Sequence, residues 1–134
     1  MRVSGPFEVK LTPEGPEDRA EGSALGRLSI DKHFHGALEA ASQGQMLSAV
    51  SDVPGSAGYV ALERVTGTLQ GRRGSFVLQH CGTMSKNGSQ LTISVVPDSG
   101  TAQLVGLSAT MSIRIVDGQH FYELEYMLPD ARSS

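Results

Sequence analysis

The sequence predicts an all-β protein whose strands form a closed antiparallel barrel. Most segments alternate apolar and polar residues with period two, and glycine and proline stand between these segments as turn signals. The 134 residues include 16 Gly and 6 Pro, which are spread along the chain and are not gathered into a linker. Closure into a barrel is favoured because it removes the exposed edges that an open sheet would leave.

The first predicted element is an extended segment over residues 7–11. Residues 12–23 are predicted to form a surface loop, because Pro13-Glu14-Gly15-Pro16 can continue neither a helix nor a central strand. At the other end, residues 129–134 are predicted to be a flexible C-terminal tail. Residues 1–134 are predicted to be one domain, in which folding buries roughly 67% of the surface of the unfolded chain.

Later segments have the length and the alternation of strands. Residues 59–69 are one such segment, rich in Val and Thr. Two hairpins are predicted at dipeptides that supply the positive φ angles of tight turns. They are residues 74–84 with 91–96 through Asn87-Gly88, and residues 104–116 with 121–128 through Asp117-Gly118.

The segment 35–50 gives contradictory signals. Leu38, Ala41, Met46 and Ala49 recur near helical spacing, and Ala, Leu, Glu and Met favour helix. Two glycines within the segment weaken this prediction, and its neighbours are strand-like. Local propensity alone predicts a helix here.

A series of ordered motifs through the chain is similar to a known family. In order, the motifs are His35-Gly36-Ala37-Leu38-Glu39, Ser42-Gln43-Gly44-Gln45-Met46-Leu47, residues 56–63, residues 71–80 and residues 95–101. With them the chain resembles, over nearly its whole length, the bacterial family catalogued as domain of unknown function 3224. The resemblance implies an allene-oxide-cyclase-like barrel of about eight antiparallel strands around a small interior. It also implies that residues 35–50 are a strand, which overrides the helix prediction.

Three positions depart from the family pattern. Ala37 stands where the family tends to have Asp, Cys81 where it usually has Ser, and Ala102-Gln103 where it has Gly-Glu. Roles that depend on those family side chains are not carried over to this chain. Known chemistry on related barrels includes the cyclisation of oxidised lipids, which is an analogy of fold alone.

Charge and composition exclude several classes of partner. Eleven basic and fourteen acidic residues give a net charge of −3, so there is no basic excess for phosphates and no nucleic-acid partner is expected. No apolar run approaches the roughly 20 residues of a membrane span, and the first ten residues lack the apolar region of a signal peptide. We therefore expect a cytoplasmic protein without a membrane partner. Cys81 is the single cysteine and cannot form an intramolecular disulfide.

Two residues are candidate catalytic groups because they are polar members of otherwise apolar strand faces. His80 shares its parity with Met84 and could act as an acid or base near neutral pH. The alternative is a core histidine satisfied by one hydrogen bond. Glu63 shares a face with Ala61 and Val65, and burial would raise its pKa and make it a candidate base. The alternative is a solvated or surface-paired carboxylate.

A barrel of about eight strands can hold one small ligand or be filled by its own side chains. Tyrosines suit such a pocket because they combine an apolar body with a hydroxyl tip, and an arginine in a turn could hold an anionic head group. The candidate ligand-binding residues are Tyr59, Phe76, Leu78, Gln79, Met111, Tyr122, Tyr126 and Arg72. Core packing, and a solvated turn for the arginine, are the alternatives. Gln79 and His80 have opposite parity, so only one of them can point inward, and the inward face of residues 59–69 stays open.

His33-Phe34-His35 places two imidazoles on one face of a strand, about 7 Å apart. A metal site would need a third ligand, for which His80, His120 and Glu39 are candidates. The pair alone is a weak signal, so no metal and no cofactor is predicted.

Three functions remain open. The first is binding of a small apolar or amphipathic metabolite in the barrel interior. The second is an isomerase or cyclase that acts on a small reactive, lipid- or polyketide-like substrate by acid/base catalysis. The third is a filled barrel that serves as an oligomeric interaction module, with a homo-oligomer expected from the resemblance alone. A hollow interior in which His80 faces Glu63 would favour the enzyme, and a uniformly apolar one would favour binding.

Overall fold

The computed structural model describes residues 1–129, most of which lie in nine β-strands. Ala102–Leu104 is a single 3-10 turn, and no helix within this range is long and apolar enough to cross a membrane. The strands are Arg2–Pro13 (β1), Asp18–Ala20 (β2), Ser23–Phe34 (β3), Leu38–Ser51 (β4), Ala57–Leu69 (β5), Arg72–Ser85 (β6), Gly88–Val95 (β7), Ser108–Val116 (β8) and Gln119–Met127 (β9).

Eight of these strands close into an antiparallel barrel, in the order β1-β9-β8-β7-β6-β5-β4-β3. Strand β1 closes it by pairing with two neighbours. Residues 2–7 pair with β9, and residues 7–13 pair with β3. Among the strands of residues 1–129, the short β2 pairs only with β3 and extends the wall at one edge. The predicted fold, a closed barrel of about eight strands, is confirmed.

The helix that local propensity predicts over residues 35–50 is wrong, and the strand implied by the family resemblance is right. Strand β4 pairs along its length with β3 on one side and with β5 on the other. Leu38, Ala40 and Ser42 are buried, whereas the residues between them are exposed. The backbone pairing and the buried face outweigh the modest helix preference of Ala, Leu and Met.

Two predicted boundaries differ from the structure. The predicted surface loop 12–23 contains the end of β1 and all of β2, although residues 12–22 are exposed as expected. The strand predicted from residue 104 begins only at Ser108, because Leu104 and Leu107 are buried against the core instead of pairing with a neighbouring strand. Of the predicted tail 129–134, residues 130–134 lie outside the described residues.

Two hairpins turn through two residues with positive φ. Asp117-Gly118 joins β8 to β9 as predicted, with φ angles of 52° and 80°. Gln70-Gly71 joins β5 to β6 in the same way, with φ angles of 47° and 83°. The left-handed pair matches the twist of the flanking strands. Arg72 is therefore the first residue of β6 and not a turn residue.

The barrel interior is divided into a filled half and a hollow half. The connection between β7 and β8 inserts Leu104 and Leu107 into the filled half, which closes that end of the barrel. Other side chains of this core are Phe34, Leu38, Val65, Leu69, Phe76, Leu78, Tyr122, Leu124 and Tyr126. The opposite half is where the candidate site lies.

Candidate functional site

The hollow half of the barrel holds a cavity of about 550 Å³. It opens at the end of the barrel where β4 turns into β5 and β8 turns into β9, since residues beside both turns line it. Inward-facing side chains at this mouth, among them Ile115 and Met84, are 62% and 55% exposed. Apolar side chains make up most of the wall: Phe7, Val9, Leu11, Ile30, Met46, Val50, Ala57, Ala61, Met84, Ile113 and Ile115.

A row of buried polar side chains lies at the inner end of this cavity. Four consecutive strands, β3 to β6, each contribute one member: Lys32, Ser42, Glu63 and His80. The strand register brings them together, because Lys32 pairs with Ser42 and His80 pairs with Ala61, two residues from Glu63 on the same face. Side chains at such direct and diagonal positions lie within contact distance.

Glu63 is the centre of the row. Its Oε2 atom accepts hydrogen bonds from Lys32 Nζ at 2.8 Å and from His80 Nε2 at 2.5 Å, and its Oε1 atom accepts one from Ser42 Oγ at 2.7 Å. The Glu63 side chain is fully buried, so these three donors replace the water that an ionised carboxylate requires. The buried charge is therefore both paired and hydrogen-bonded.

The pKa of Glu63 moves in the direction opposite to the predicted one. Burial would raise the pKa, but the hydrogen bond from His80 and the positive charge of Lys32 outweigh burial and lower the pKa to about 2. The sequence reveals the apolar face around Glu63 but not these two partners. Glu63 is thus a permanent carboxylate at neutral pH, which orients His80 and does not itself exchange protons.

His80 connects Glu63 to the cavity through its second ring nitrogen. In a neutral ring whose Nε2 donates to the carboxylate, Nδ1 is an acceptor, and the Tyr59 hydroxyl lies 3.4 Å from it. Burial and the nearby negative charge of Glu63 raise the pKa of Tyr59, so its phenol remains a proton donor. His80, Tyr59 and Lys32 all line the cavity.

The Lys32 ammonium is held by more than the carboxylate. It lies 5.4 Å from the ring centroid of Phe7 and 5.7 Å from that of Phe34, where aromatic faces stabilise a cation. The charges of Lys32 and Glu63 cancel, so the inner end of the cavity offers hydrogen-bonding groups without a net charge from this pair.

The structure brings three predicted site residues together and separates the other seven from the cavity. Glu63, His80 and Tyr59 form one chain of contacts. Five of the others are buried in the filled half and do not line the cavity: Phe76, Leu78, Met111, Tyr122 and Tyr126. The hydroxyls of the last two are engaged within the protein, with His35 and Leu38 for Tyr122 and with Gln70 for Tyr126.

Gln79 and Arg72 were predicted to contact the ligand and are both exposed. Gln79 projects from the outer wall because His80 and Leu78 define the inward face of β6. Arg72 begins β6 at the filled end, away from the cavity mouth. Neither lines this cavity.

Sequence reasoning missed Lys32 and Ser42. A signal for Lys32 was present, since it alternates with Ile30 and Phe34 on one face of β3 and is therefore a lysine on an apolar face. Ser42 was missed because residues 35–50 also fit a helix, in which its side chain would point in a different direction. A strand assignment for both segments would have identified these residues as inward-facing.

The fold and the site together define a small barrel whose hollow half holds an open cavity with a buried polar row at its inner end. The chain belongs to the family described as protein of unknown function (DUF3224), whose model matches residues 3–126. It is similar to the crystal structure of a protein of unknown function from the same family, from Shewanella oneidensis MR-1. The two chains are 53% identical with a TM-score of 0.93, and the alignment covers 98% of each. No curated protein matches the chain.

Proposed function

We propose that the protein binds a small, largely apolar molecule with one oxygen-bearing group in the hollow half of the barrel. The observation that carries this proposal is the open 550 Å³ cavity, whose apolar walls end on Tyr59, His80 and Lys32. Ligand sites typically have volumes of roughly 300–1,000 Å³, mostly apolar walls and a few polar groups that fix orientation. The mouth also leaves large apolar side chains accessible to water, which a bound molecule would cover.

The contacts of the polar row support the proposal of a neutral ligand. The ammonium of Lys32 is already paired with Glu63, so an anionic ligand would compete with a hydrogen bond of 2.8 Å. The Tyr59 hydroxyl is less firmly engaged, because its contact with His80 is 3.4 Å long. A carbonyl or ether oxygen of the ligand can therefore accept a hydrogen bond from Tyr59 at little cost.

Titration with an environment-sensitive naphthyl ketone dye tests this function, because the dye is apolar and carries one carbonyl. We expect saturable binding of one dye per barrel with a shift of its emission to the blue. Ala61→Phe fills the cavity beside His80 and should weaken binding at least about tenfold, which corresponds to roughly 1.4 kcal/mol. Ser48→Phe fills it nearer the mouth and provides a second variant.

Leu62→Phe is the matched control, since Leu62 follows Ala61 in β5 but is exposed on the outer wall. It adds the same ring outside the barrel and should leave the dye affinity unchanged. Tyr59→Phe should weaken the ketone dye by about 2- to 10-fold, the usual contribution of one hydrogen bond. Absence of saturable binding, or equal affinity for the Ala61→Phe, Ser48→Phe and Leu62→Phe variants, would overturn the proposal. If the dye binds as expected, native mass spectrometry of protein purified from its own host would identify the natural ligand.

A second candidate function is acid–base isomerisation or cyclisation of such a ligand, and the Glu63–His80–Tyr59 chain favours it. In this reaction His80 removes a proton from carbon and returns it at another position, while Tyr59 donates a hydrogen bond to the oxygen on which negative charge develops. Glu63 is the positioning residue, since its carboxylate stabilises the imidazolium that forms. The closed end of the barrel excludes water from the reacting groups.

Comparison of metabolite profiles tests the enzyme. Host extracts are incubated with the wild-type protein, with His80→Gln and with the matched control Gln79→Ala, whose side chain lies on the outer wall. A compound that is consumed by the wild type and by Gln79→Ala, but not by His80→Gln, supports catalysis and leads to its substrate. Identical profiles for all three proteins reject catalysis and leave binding as the function.

A further inference from the structure

The outer wall of the barrel carries a group of metal-ligating side chains that the cavity does not use. His33 and His35 lie near the end of β3, where their imidazole rings stack with centroids 5.0 Å apart and planes 18° apart. Glu39, at the start of β4, completes the group. One ligand atom from each of the three residues lies within 4.8 Å of the other two.

The spacing of His35 and Glu39 suits a small divalent ion. A tetrahedral zinc site with bonds of about 2.0–2.1 Å has ligand atoms about 3.3 Å apart. Nδ1 of His35 and Oε2 of Glu39 are 3.3 Å apart, and they face each other across the β3–β4 turn. His33 is exposed on the strand and can rotate its ring to bring a nitrogen closer.

A second layer of contacts holds the proposed ligands in place. Nε2 of His35 lies 2.9 Å from Oε1 of Glu8, an arrangement in which a carboxylate fixes the ring and leaves Nδ1 free to bind a metal. Oε1 of Glu39 accepts a hydrogen bond from the backbone N–H of Gly36, which leaves Oε2 for the ion.

The backbone beneath the group is also fixed. The N–H of His35 donates to the carbonyl of Pro6 at 3.0 Å, and the hydroxyl of Tyr122 donates to the carbonyl of His35 at 2.7 Å. Gly36 takes a φ of +95°, which allows the chain to turn so that Glu39 meets His35. The barrel therefore holds the turn in position before any ion binds.

We propose that His33, His35 and Glu39 bind a Zn²⁺ ion, or a similar divalent transition-metal ion, on the outer wall of the barrel. Two imidazoles and one carboxylate form a ligand set that zinc favours, and three protein ligands leave a fourth position for water. Mg²⁺ is not expected to bind, because it prefers oxygen ligands in octahedral geometry. Glu8 is a positioning residue that acts through His35.

Metal titration of the untagged, chelator-treated full chain tests the site. Calorimetry should show one Zn²⁺ per chain, Co²⁺ should give the visible absorption bands of a four-coordinate ion, and Mg²⁺ should give no signal. Zn²⁺ should also raise the midpoint of thermal unfolding, since a ligand that binds only the folded state stabilises it. His33→Gln and Glu39→Gln, both exposed positions that should leave folding intact, should each abolish the Co²⁺ bands.

Two further variants distinguish a preorganised metal site from nonspecific binding of Zn²⁺ to any histidine. Glu8→Gln should weaken Zn²⁺ binding by about 10- to 100-fold, the usual effect of losing a carboxylate that orients a ligand. His120→Gln removes a histidine that packs on Phe7 at the cavity and should leave Zn²⁺ affinity unchanged. The site is rejected if the wild type binds no stoichiometric Zn²⁺, or if His33→Gln and Glu39→Gln bind it as tightly as the wild type.

Discussion

The imidazole of His80 donates a 2.5 Å hydrogen bond to the carboxylate of Glu63 inside the barrel, although the two residues are 17 positions apart in the chain. The β5–β6 register produces this contact by pairing His80 with Ala61, two residues before Glu63 on the same face. The contact removes Glu63 as a proton carrier and leaves His80 with one nitrogen toward the cavity. The Glu63–His80 pair thus determines which group can exchange protons at the inner end of the site.

The low pKa of Glu63 predicts a specific pH dependence of stability. Its pKa of about 2 in the folded protein lies below the ordinary value of 4.5, so the ionised group stabilises the fold above about pH 4.5. This contribution is lost as the pH falls from about 4.5 toward 2, and the shift corresponds to about 3 kcal/mol over that range. Urea unfolding at several pH values should show wild-type stability converging on that of Glu63→Gln as the pH is lowered.

The control for this measurement is Glu123→Gln, which removes an exposed carboxylate near Arg2. Exposed ion pairs contribute little, so we expect its stability to stay within about 1 kcal/mol of the wild type throughout. A constant difference between wild type and Glu63→Gln from pH 6 to 3 would contradict the assigned partners.

Removal of Lys32 should lower the free energy of unfolding by more than the loss of its charge alone suggests. Lys32→Met leaves the buried Glu63 with one donor fewer and no cation, and breaking one side of a buried pair typically costs about 3–5 kcal/mol. The double variant Lys32→Met/Glu63→Leu should lose less than the sum of its single variants, because neither charge is then left unpaired. Lys10→Met, at an exposed position of β1, should be nearly neutral. Strictly additive losses in urea unfolding would show that Lys32 and Glu63 are not coupled.

The barrel could be predicted from the sequence, but the polar row could not be predicted in full. Alternation identified the inward faces of β8 and β9, and Asp117-Gly118 identified the turn between them. Residues 35–50 required the family resemblance, because their helix preference is a local property whereas their pairing with β3 and β5 is a property of the whole barrel.

The candidate site could likewise be predicted from the sequence only in part. His80 and Glu63 were predicted because each is a polar member of an apolar face, and Tyr59 was predicted because a tyrosine combines an apolar body with a hydroxyl tip. The division of the interior into filled and hollow halves was not predictable, since it depends on where Leu104 and Leu107 insert. Tyr122 and Tyr126 were therefore assigned to a pocket when they belong to the core.

Gly44 should be essential for the approach of β4 to Glu63. A Cβ atom at Gly44 would lie 2.1 Å from the carbonyl oxygen of Leu62 and 2.6 Å from the Cα of Glu63. These are backbone atoms, so the strands themselves would have to move, and we expect Gly44→Ala to cost about 1–3 kcal/mol or more. Thermal and urea unfolding measure the loss.

Gly58→Ala is the matched control in the next strand. The nearest atom to its added Cβ would be the carbonyl oxygen of Gly82 at 3.6 Å, which is ordinary contact. Alanine also restricts the unfolded chain, so this variant should be neutral or stabilised by up to about 1 kcal/mol. Equal losses for the two variants would show that close approach at Gly44 is not the cause.

Tyr122→Phe should destabilise the protein without altering ligand binding. The Tyr122 hydroxyl accepts a hydrogen bond from the buried N–H of Leu38 at 2.9 Å and donates to the carbonyl of His35 at 2.7 Å. Its loss leaves that N–H without a partner, at a cost of about 1–3 kcal/mol.

Tyr126→Phe is the control from the same strand face. The Tyr126 hydroxyl donates to the Oε1 atom of Gln70, which is exposed, so water can replace the lost donor. We therefore expect Tyr126→Phe to lose less than about 1 kcal/mol of stability. Urea unfolding distinguishes the two variants, and both should bind the naphthyl ketone dye with wild-type affinity because neither residue lines the cavity. Loss of dye binding in a folded Tyr122→Phe protein would place the ligand in the half of the barrel that is filled here.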